Sequence, residues 1–274
     1  MPPIQFVYRL VCGETLGENL TMRFSLSLLL LTTAAMAQPA ATMPPTPPPV
    51  AQLARLVNDY GNTARYENEN RTVQPPAPGE NRVVFMGDSI TDNWGRGNGQ
   101  YGKFFPDKPY INRGISGQVT PQMLLRFYQD VIALKPKVVV ILAGTNDIGG
   151  NIGPMPLEAT ENYLMSMAVM ARANNIKVVL ASLTPVCDYH VGEGRNSRVP
   201  QTASRPPEKI LALNRWIKEY TAKNHFVFLD YYSGTVDDKG FFKAEITPDG
   251  LHPNAAGYEI MAPLAEKAIA EALR

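Results

Sequence analysis

The chain has 274 residues, with 26 Lys and Arg against 25 Asp and Glu and a formal net charge of +1. Apolar residues make up 45% of it, enough for a substantial core, which excludes wholesale disorder. The near-neutral balance leaves no basic footprint for nucleic acid and no polybasic patch for a membrane surface.

The N-terminus reads as an export signal rather than as part of the fold. From Met22 the sequence runs MRFSLSLLLLTTAAMAQ: one Arg, an apolar run, then Ala35-Met36-Ala37 ahead of Gln38. That is the order of a secretory signal peptide, and the run is too short for a membrane span. Glu14 and Glu18 fit poorly in such a signal, which points to Met22 as the start and to cleavage after Ala37. Residues 1–37 are therefore expected to be removed from a secreted or periplasmic protein with no stable membrane insertion. Of the two cysteines only Cys187 would remain, so the expected mature chain has no internal disulfide.

Eleven of the 24 prolines precede residue 80. Pro44 to Pro49 predicts a stiff polyproline tether, followed by a short helix with Leu53, Leu56 and Val57 on one side. Pro75-Pro76-Ala77-Pro78-Gly79 marks a break, so residues 38–80 read as a tether with a short helix and residues 81–274 as the main folded domain.

Beyond that break the rhythm is regular. Apolar, β-branched runs at 82–86, 137–143, 177–183 and 226–229, with a weaker one at 110–111, predict five strands. Helices are predicted over 121–134, 157–173, 208–222 and 255–273; Leu124, Phe127, Val131 and Leu134 share one face, as do Leu164, Met167, Ala168 and Ala171. Alternating strands and helices of this length predict an α/β fold, a three-layer α/β/α sandwich around a mainly parallel sheet. The polar, turn-rich stretch from Cys187 to Gln201 is expected as a surface loop on the rim where active-site loops gather.

Functional groups of open parallel sheets collect beyond the carboxyl ends of the strands. After the first strand comes Gly87-Asp88-Ser89, after the second Asn112-Arg113-Gly114-Ile115-Ser116-Gly117, after the third Gly144-Thr145-Asn146-Asp147. Asp249-Gly250-Leu251-His252-Pro253 precedes the last helix. These residues suit acyl transfer. A serine hydroxyl needs a base to take its proton during attack, and an imidazole titrating near neutrality is the best available. Ser89 is the candidate nucleophile, His252 the base, and Asp249 the carboxylate that fixes the imidazole tautomer. The backbone N–H groups of Ser89 and Gly117 and the amide of Asn146 are candidate oxyanion donors.

Taken singly, each feature has a plainer reading. Ser89 could cap a helix, Asp88 could close a turn on its own backbone, Gly114 and Gly117 could supply turn geometry, and Asp147 reads as structural. Cys187, Asp188 and His190 invite a metal reading but fall short of a closed site, and His225 reads as a helix-end residue. Trp94, Tyr101, Phe104 and Phe105 could line an acyl pocket or pack on the sheet.

Together, VVFMGDSITDNW, NRGISGQ, ILAGTND and DGLHP, in this order, resemble the four sequence blocks of the SGNH hydrolases, the GDSL esterase/lipase family. The resemblance runs from Val83 to the C-terminus, and the bacterial extracellular acylhydrolases and platelet-activating-factor acetylhydrolase-like members look most similar. It implies a flavodoxin-like fold and serine ester hydrolysis without a cofactor or metal. It also implies Ser89, Asp249 and His252 as the triad, with Gly117 and Asn146 as oxyanion donors beside Ser89.

The expected substrate is a small-molecule or polysaccharide ester with a short acyl group, above all acetyl esters of carbohydrates. Alternatives are a lysophospholipase or thioesterase-type acylhydrolase, a metal-dependent phosphoesterase built on Asp88, Asn146, Asp147, Asp249 and His252, and a non-catalytic carbohydrate-binding domain.

Overall fold

The structure, a computed structural model, describes residues 57–193 and 199–274. The export signal, the Pro44 to Pro49 tract, Leu53 and Leu56 lie outside the described residues. Val57 of the expected short helix is exposed.

The described residues form a five-stranded sheet of β1 (Val83–Gly87), β2 (Tyr110–Gly114), β3 (Val138–Leu142), β4 (Lys177–Ala181) and β5 (Val227–Leu229). Every pairing is parallel and the order is β2-β1-β3-β4-β5. Every residue of β1 and β3 is buried, which is why both read as unbroken apolar runs: helices cover both faces and no alternation is needed. The edge strands β2 and β5 are half-buried at their starts, which for β2 explains its weaker signal.

On one face, the helix Thr120–Asp130 (here α3) packs on Leu157–Ala173 (α5), which packs on Pro207–Asn224 (α7). On the other, Ala255–Ala272 (α9) lies against β3, β4 and β5. Leu164, Met167, Ala168 and Ala171 all point into the core, as their spacing predicts.

The first of these helices ends earlier than its apolar spacing predicts. Val131 leaves helical geometry at φ −127°, ψ −66°, and Ile132–Leu134 forms a separate 3-10 turn. Lys135 then adopts φ +51° ahead of Pro136, whose ring disfavours helical backbone in the residue before it.

Within this helix Arg126 and Asp130 are fully buried and paired at 3.0 Å. Arg126 also donates to Gln118 Oε1 at 2.6 Å, to the Arg113 carbonyl at 2.8 Å and to the Gly87 carbonyl at 3.2 Å. One guanidinium thus ties the ends of β1 and β2 to the loop that follows β2.

Residues 59–73, assigned from sequence to the tether, pack on this body. The Tyr66 hydroxyl donates to the Gly114 carbonyl, and the Arg113 guanidinium lies 4.6 Å from the Tyr66 ring centre. Asn70, on α1 (Glu67–Thr72), donates to Asp130 Oδ1 at 2.6 Å and accepts from Arg113 Nε at 2.9 Å.

The order 2-1-3-4-5 places the crevice beyond the carboxyl ends of β1 and β3, where the chain winds away in opposite directions. The loops after β1, β2 and β3 all meet there.

Candidate active site

Ser89 is the first residue of a short helix, Ser89–Asn93 (α2), that begins as soon as β1 ends. Asp88 caps it, its carboxylate accepting from the Ile90 N–H at 2.9 Å, so the plainer turn-forming reading of Asp88 describes its contact. The Tyr258 hydroxyl, on α9, donates to the Ile90 carbonyl at 2.7 Å and pins the same turn from the other side. Asp88 is wholly buried; burial pushes its carboxyl up to about 6, against the pull of the Ile90 hydrogen bond and the neighbouring His252.

Ser89 Oγ lies 2.8 Å from His252 Nε2, though 163 residues separate the two. His252 Nδ1 lies 2.7 Å from Asp249 Oδ2. A carboxylate only accepts, so Nδ1 carries the proton and Nε2 is left to accept from the Ser89 hydroxyl.

Asp249 Oδ1 accepts from the backbone N–H groups of Leu251 at 3.0 Å and His252 at 2.8 Å. Burial raises the Asp249 carboxyl, but the His252 hydrogen bond and charge and these backbone bonds outweigh it, leaving the group below its ordinary value. Gly250, between them, sits at φ +78° with the Cys187 carbonyl where a Cβ would stand, so only glycine fits this turn. The Cys187 N–H donates to the Gly250 carbonyl at 2.9 Å. Cys187 is therefore buried against the Asp249–His252 turn, not at the surface as the loop reading expected.

The loop after β2 is tied to the Ser89 turn through Asp92, which accepts from the Ser116 N–H at 3.1 Å and hydroxyl at 2.6 Å. Gly117 takes φ +80° with open space where a side chain would project; the backbone conformation, not crowding, calls for glycine. Asn146 is buried in the helix Thr145–Ile148 after β3. Its Nδ2 donates to the Gln118 carbonyl at 3.0 Å, and Asn151 Nδ2 donates to the Gly117 carbonyl at 3.1 Å, so the two loops form one hydrogen-bonded wall. Asp147 plays the structural part expected of it, accepting from the Thr120 N–H and hydroxyl.

Sequence reasoning missed Arg205. It is buried, donates to Asn146 Oδ1 at 3.3 Å and to Ser204 Oγ at 3.0 Å, and lies over Gly149. Burial works against its charge, and the Asp88 and Asp249 carboxylates offset part of that penalty. The neighbouring Ser204, Pro206 and Pro207 carry no periodic signal that would have flagged it.

The remaining candidates lie elsewhere. Asp188 accepts from the Thr202 N–H at 3.0 Å, and the His190 ring bridges Glu193 and the Ala244 carbonyl. His225 is the left-handed cap of α7, at φ +57°. Among the described residues, no group of three or more His, Cys, Asp or Glu could hold a metal ion, and no helix is long and apolar enough to cross a membrane. Trp94 and Phe105 are buried in an aromatic cluster around Phe85.

A serine hydroxyl bonded to an imidazole that a carboxylate orients, at the carboxyl end of a parallel sheet, is equipped for acyl transfer. The profile of the GDSL-like lipase/acylhydrolase family matches residues 85–260. A GDSL-like lipase of Bacteroides thetaiotaomicron, solved by crystallography, is similar with a TM-score of 0.69 at 40% identity, covering 78% of this chain and 99% of that one. An acetylxylan esterase of Geobacillus stearothermophilus is 23% identical over 205 residues, 66% of this chain and 90% of that protein. An uncharacterized lipoprotein of Bacillus subtilis is 30% identical over 174 residues, 55% of this chain and 69% of that protein.

Fold, site and kinship define the protein as a serine ester hydrolase. The chain belongs to the GDSL-like lipase/acylhydrolase family.

Proposed function

We propose that Ser89, His252 and Asp249 act as nucleophile, general base and orienting carboxylate in hydrolysing short-chain esters, with acetyl esters of carbohydrates as the substrate class. The observation that carries this reading is the unbroken chain from Ser89 Oγ through both ring nitrogens of His252 to Asp249.

His252 Nε2 takes the Ser89 proton as Oγ bonds to the ester carbon, and the carbonyl oxygen gains the negative charge. The N–H groups of Ser89 and Gly117 and the amide of Asn146 receive that oxyanion. Asp249 stays ionised and stabilises the imidazolium, which then protonates the departing alkoxide. Water enters, gives a proton to His252 and attacks the acyl-serine. Collapse of the second intermediate returns that proton to Ser89 Oγ and releases the acid.

Kinship favours a small acyl group, while Trp94 and Phe105 are taken up in core packing and Tyr101 and Phe104 stay half-buried. The relative from Geobacillus stearothermophilus is an acetylxylan esterase. Action outside the cytoplasm, secreted or periplasmic, is the matching location; the signal-like segment at 22–37 and kinship with a lipoprotein support it. N-terminal sequencing of the exported product tests it.

The test of chemistry is covalent labelling by a fluorophosphonate, expected at Ser89 and absent from Ser89→Ala. The test of substrate is a p-nitrophenyl ester series from acetate to palmitate beside acetylated xylan, with rates expected to fall steeply as the acyl chain lengthens.

A further inference from the structure

Next to the loop that carries Gly117 lies a cleft of about 360 Å³. Asp59, Tyr60 and Asn62 line one side of it, and Ser116, Gly117 and Asn151 line the other. The first three come from chain that precedes the family match at residues 85–260. Gly117 belongs both to the cleft and to the donors assigned to the oxyanion. A molecule seated here therefore touches the loop that faces the reacting carbonyl.

Both walls are built in place. Gln122 Nε2 donates to the Tyr60 carbonyl at 2.9 Å and Gln118 Nε2 to the Gly61 carbonyl at 2.8 Å, tying the N-terminal wall to α3 and to the loop before it. Gly61 lies so close to Leu125 that an added Cβ would come within 3.0 Å of it. The opposite wall is fixed by the Asn151 bond to the Gly117 carbonyl and the Asp92 bonds to Ser116. A binder meets an open, preformed surface and pays little to organise it.

The chemistry of the lining selects the ligand. A carboxylate, four carboxamides, a hydroxyl and a phenol surround the space, with Ile115 and Ile152 as its apolar part. An alkyl chain would strip water from these groups and return no hydrogen bonds, whereas a ring bearing several hydroxyls returns them. The volume lies near the lower end of small-molecule sites, roughly 300–1,000 Å³, which suits one sugar ring rather than a lipid.

We propose that this cleft is a glycosyl subsite: it holds one sugar unit of an acylated saccharide so that the ester on that saccharide reaches Ser89. The proposal rests on the reading of Ser89 as the nucleophile of ester hydrolysis. Contacts remote from the reacting bond then serve to seat saccharide esters ahead of simple ones.

The test compares acetylated xylotriose with p-nitrophenyl acetate, which has no sugar to place. Tyr60→Ala removes the phenol; Asn62→Gly removes a carboxamide while keeping a backbone at φ +51° that glycine tolerates. Each variant is expected to raise KM for acetylated xylotriose by about 5-fold or more, while kcat/KM for p-nitrophenyl acetate stays within about 2-fold of wild type. Xylotriose titrated into the Ser89→Ala protein should release heat, and much less once Tyr60→Ala is added.

Unchanged saccharide KM in both variants would overturn the subsite. So would parallel loss of both substrates, which would make the N-terminal wall purely structural. A wild type that cleaves p-nitrophenyl acetate but no acetylated saccharide would sink the subsite and leave the esterase reading standing. A wild type that cleaves neither ester and takes no fluorophosphonate would remove that reading, and the subsite with it.

Discussion

The Arg205 guanidinium donates to the Asn146 carboxamide oxygen across 3.3 Å, and this decides which way the amide faces. Arginine has donors only, so the oxygen of Asn146 must turn towards it and the NH2 towards the Gly117–Gln118 backbone. Nδ2 is bonded to the Gln118 carbonyl there, and its second hydrogen is the one proposed to meet the oxyanion. Arg205→Ala should therefore lower kcat by about 10-fold with little change in KM, and Arg205→Lys should recover part of the loss. Asn146→Ala should cost about 100-fold or more in kcat. If Arg205 acts through Asn146, the double variant is no slower than Asn146→Ala alone; multiplied losses would show an independent role.

The proposed triad makes its own demands. Ser89→Ala should abolish acyl-enzyme formation and leave the thermal midpoint nearly unchanged, because the Ser89 hydroxyl bonds outward to His252 rather than into the core. Asp249→Asn keeps the shape but offers an amide to Nδ1, favouring the wrong tautomer, and should lower kcat by about 1,000- to 10,000-fold. Burst kinetics with p-nitrophenyl acetate separate the two, since only the second variant still forms an acyl-enzyme, slowly.

Asp88 links the site to stability and pH. Its carboxyl rises to about 6 in the folded protein from an ordinary 3.8, mainly through burial. The folded state thus holds this proton more tightly than the unfolded chain. Ionising Asp88 opposes folding above pH 6, and that penalty fades as pH falls towards 4. Asp88→Asn keeps an acceptor for the Ile90 N–H without the charge. It should stabilise the fold by up to about 3 kcal/mol above pH 6 and by almost nothing below pH 4. Urea melts of both proteins across that range check the sign; a gain that grows on acidification would contradict it.

Much of this was legible from the amino-acid order. Val138 to Leu142 reads as a doubly covered strand because apolar side chains are needed on both faces, and Ser89, Gly117, Asn146 and His252 each follow or precede a strong periodic element. What stayed hidden depends on partners distant in sequence. Tyr66 looks like part of a polar tether until Gly114 offers its carbonyl. Arg205 is one arginine in a run of turn-formers, with nothing local to mark Asn146 as its target. The end of α3 at Asp130 is not legible because apolar spacing continues through Leu134, while the break falls at Val131, well before Pro136.

Arg126 is the buried counterpart of that blind spot: an arginine on a helix face that composition would assign to solvent. It is fully enclosed, with Asp130 at 3.0 Å and three further acceptors, so its charge is compensated from several sides. Arg126→Met removes those bonds and leaves Asp130 buried with the Asn70 amide as its remaining named donor. Breaking a buried pair from one side typically costs about 3–5 kcal/mol, and that loss should appear as a lowered midpoint in chemical denaturation. Replacing both partners, as Arg126→Met with Asp130→Leu, should recover much of the stability, because no lone charge is left inside. Activity should not return with it: Gln118 and the Gly87 carbonyl would still lack the donor that ties them together, and Gln118 carries the carbonyl to which Asn146 is bonded. A double variant restored in both stability and kcat would show that Arg126 serves the core alone.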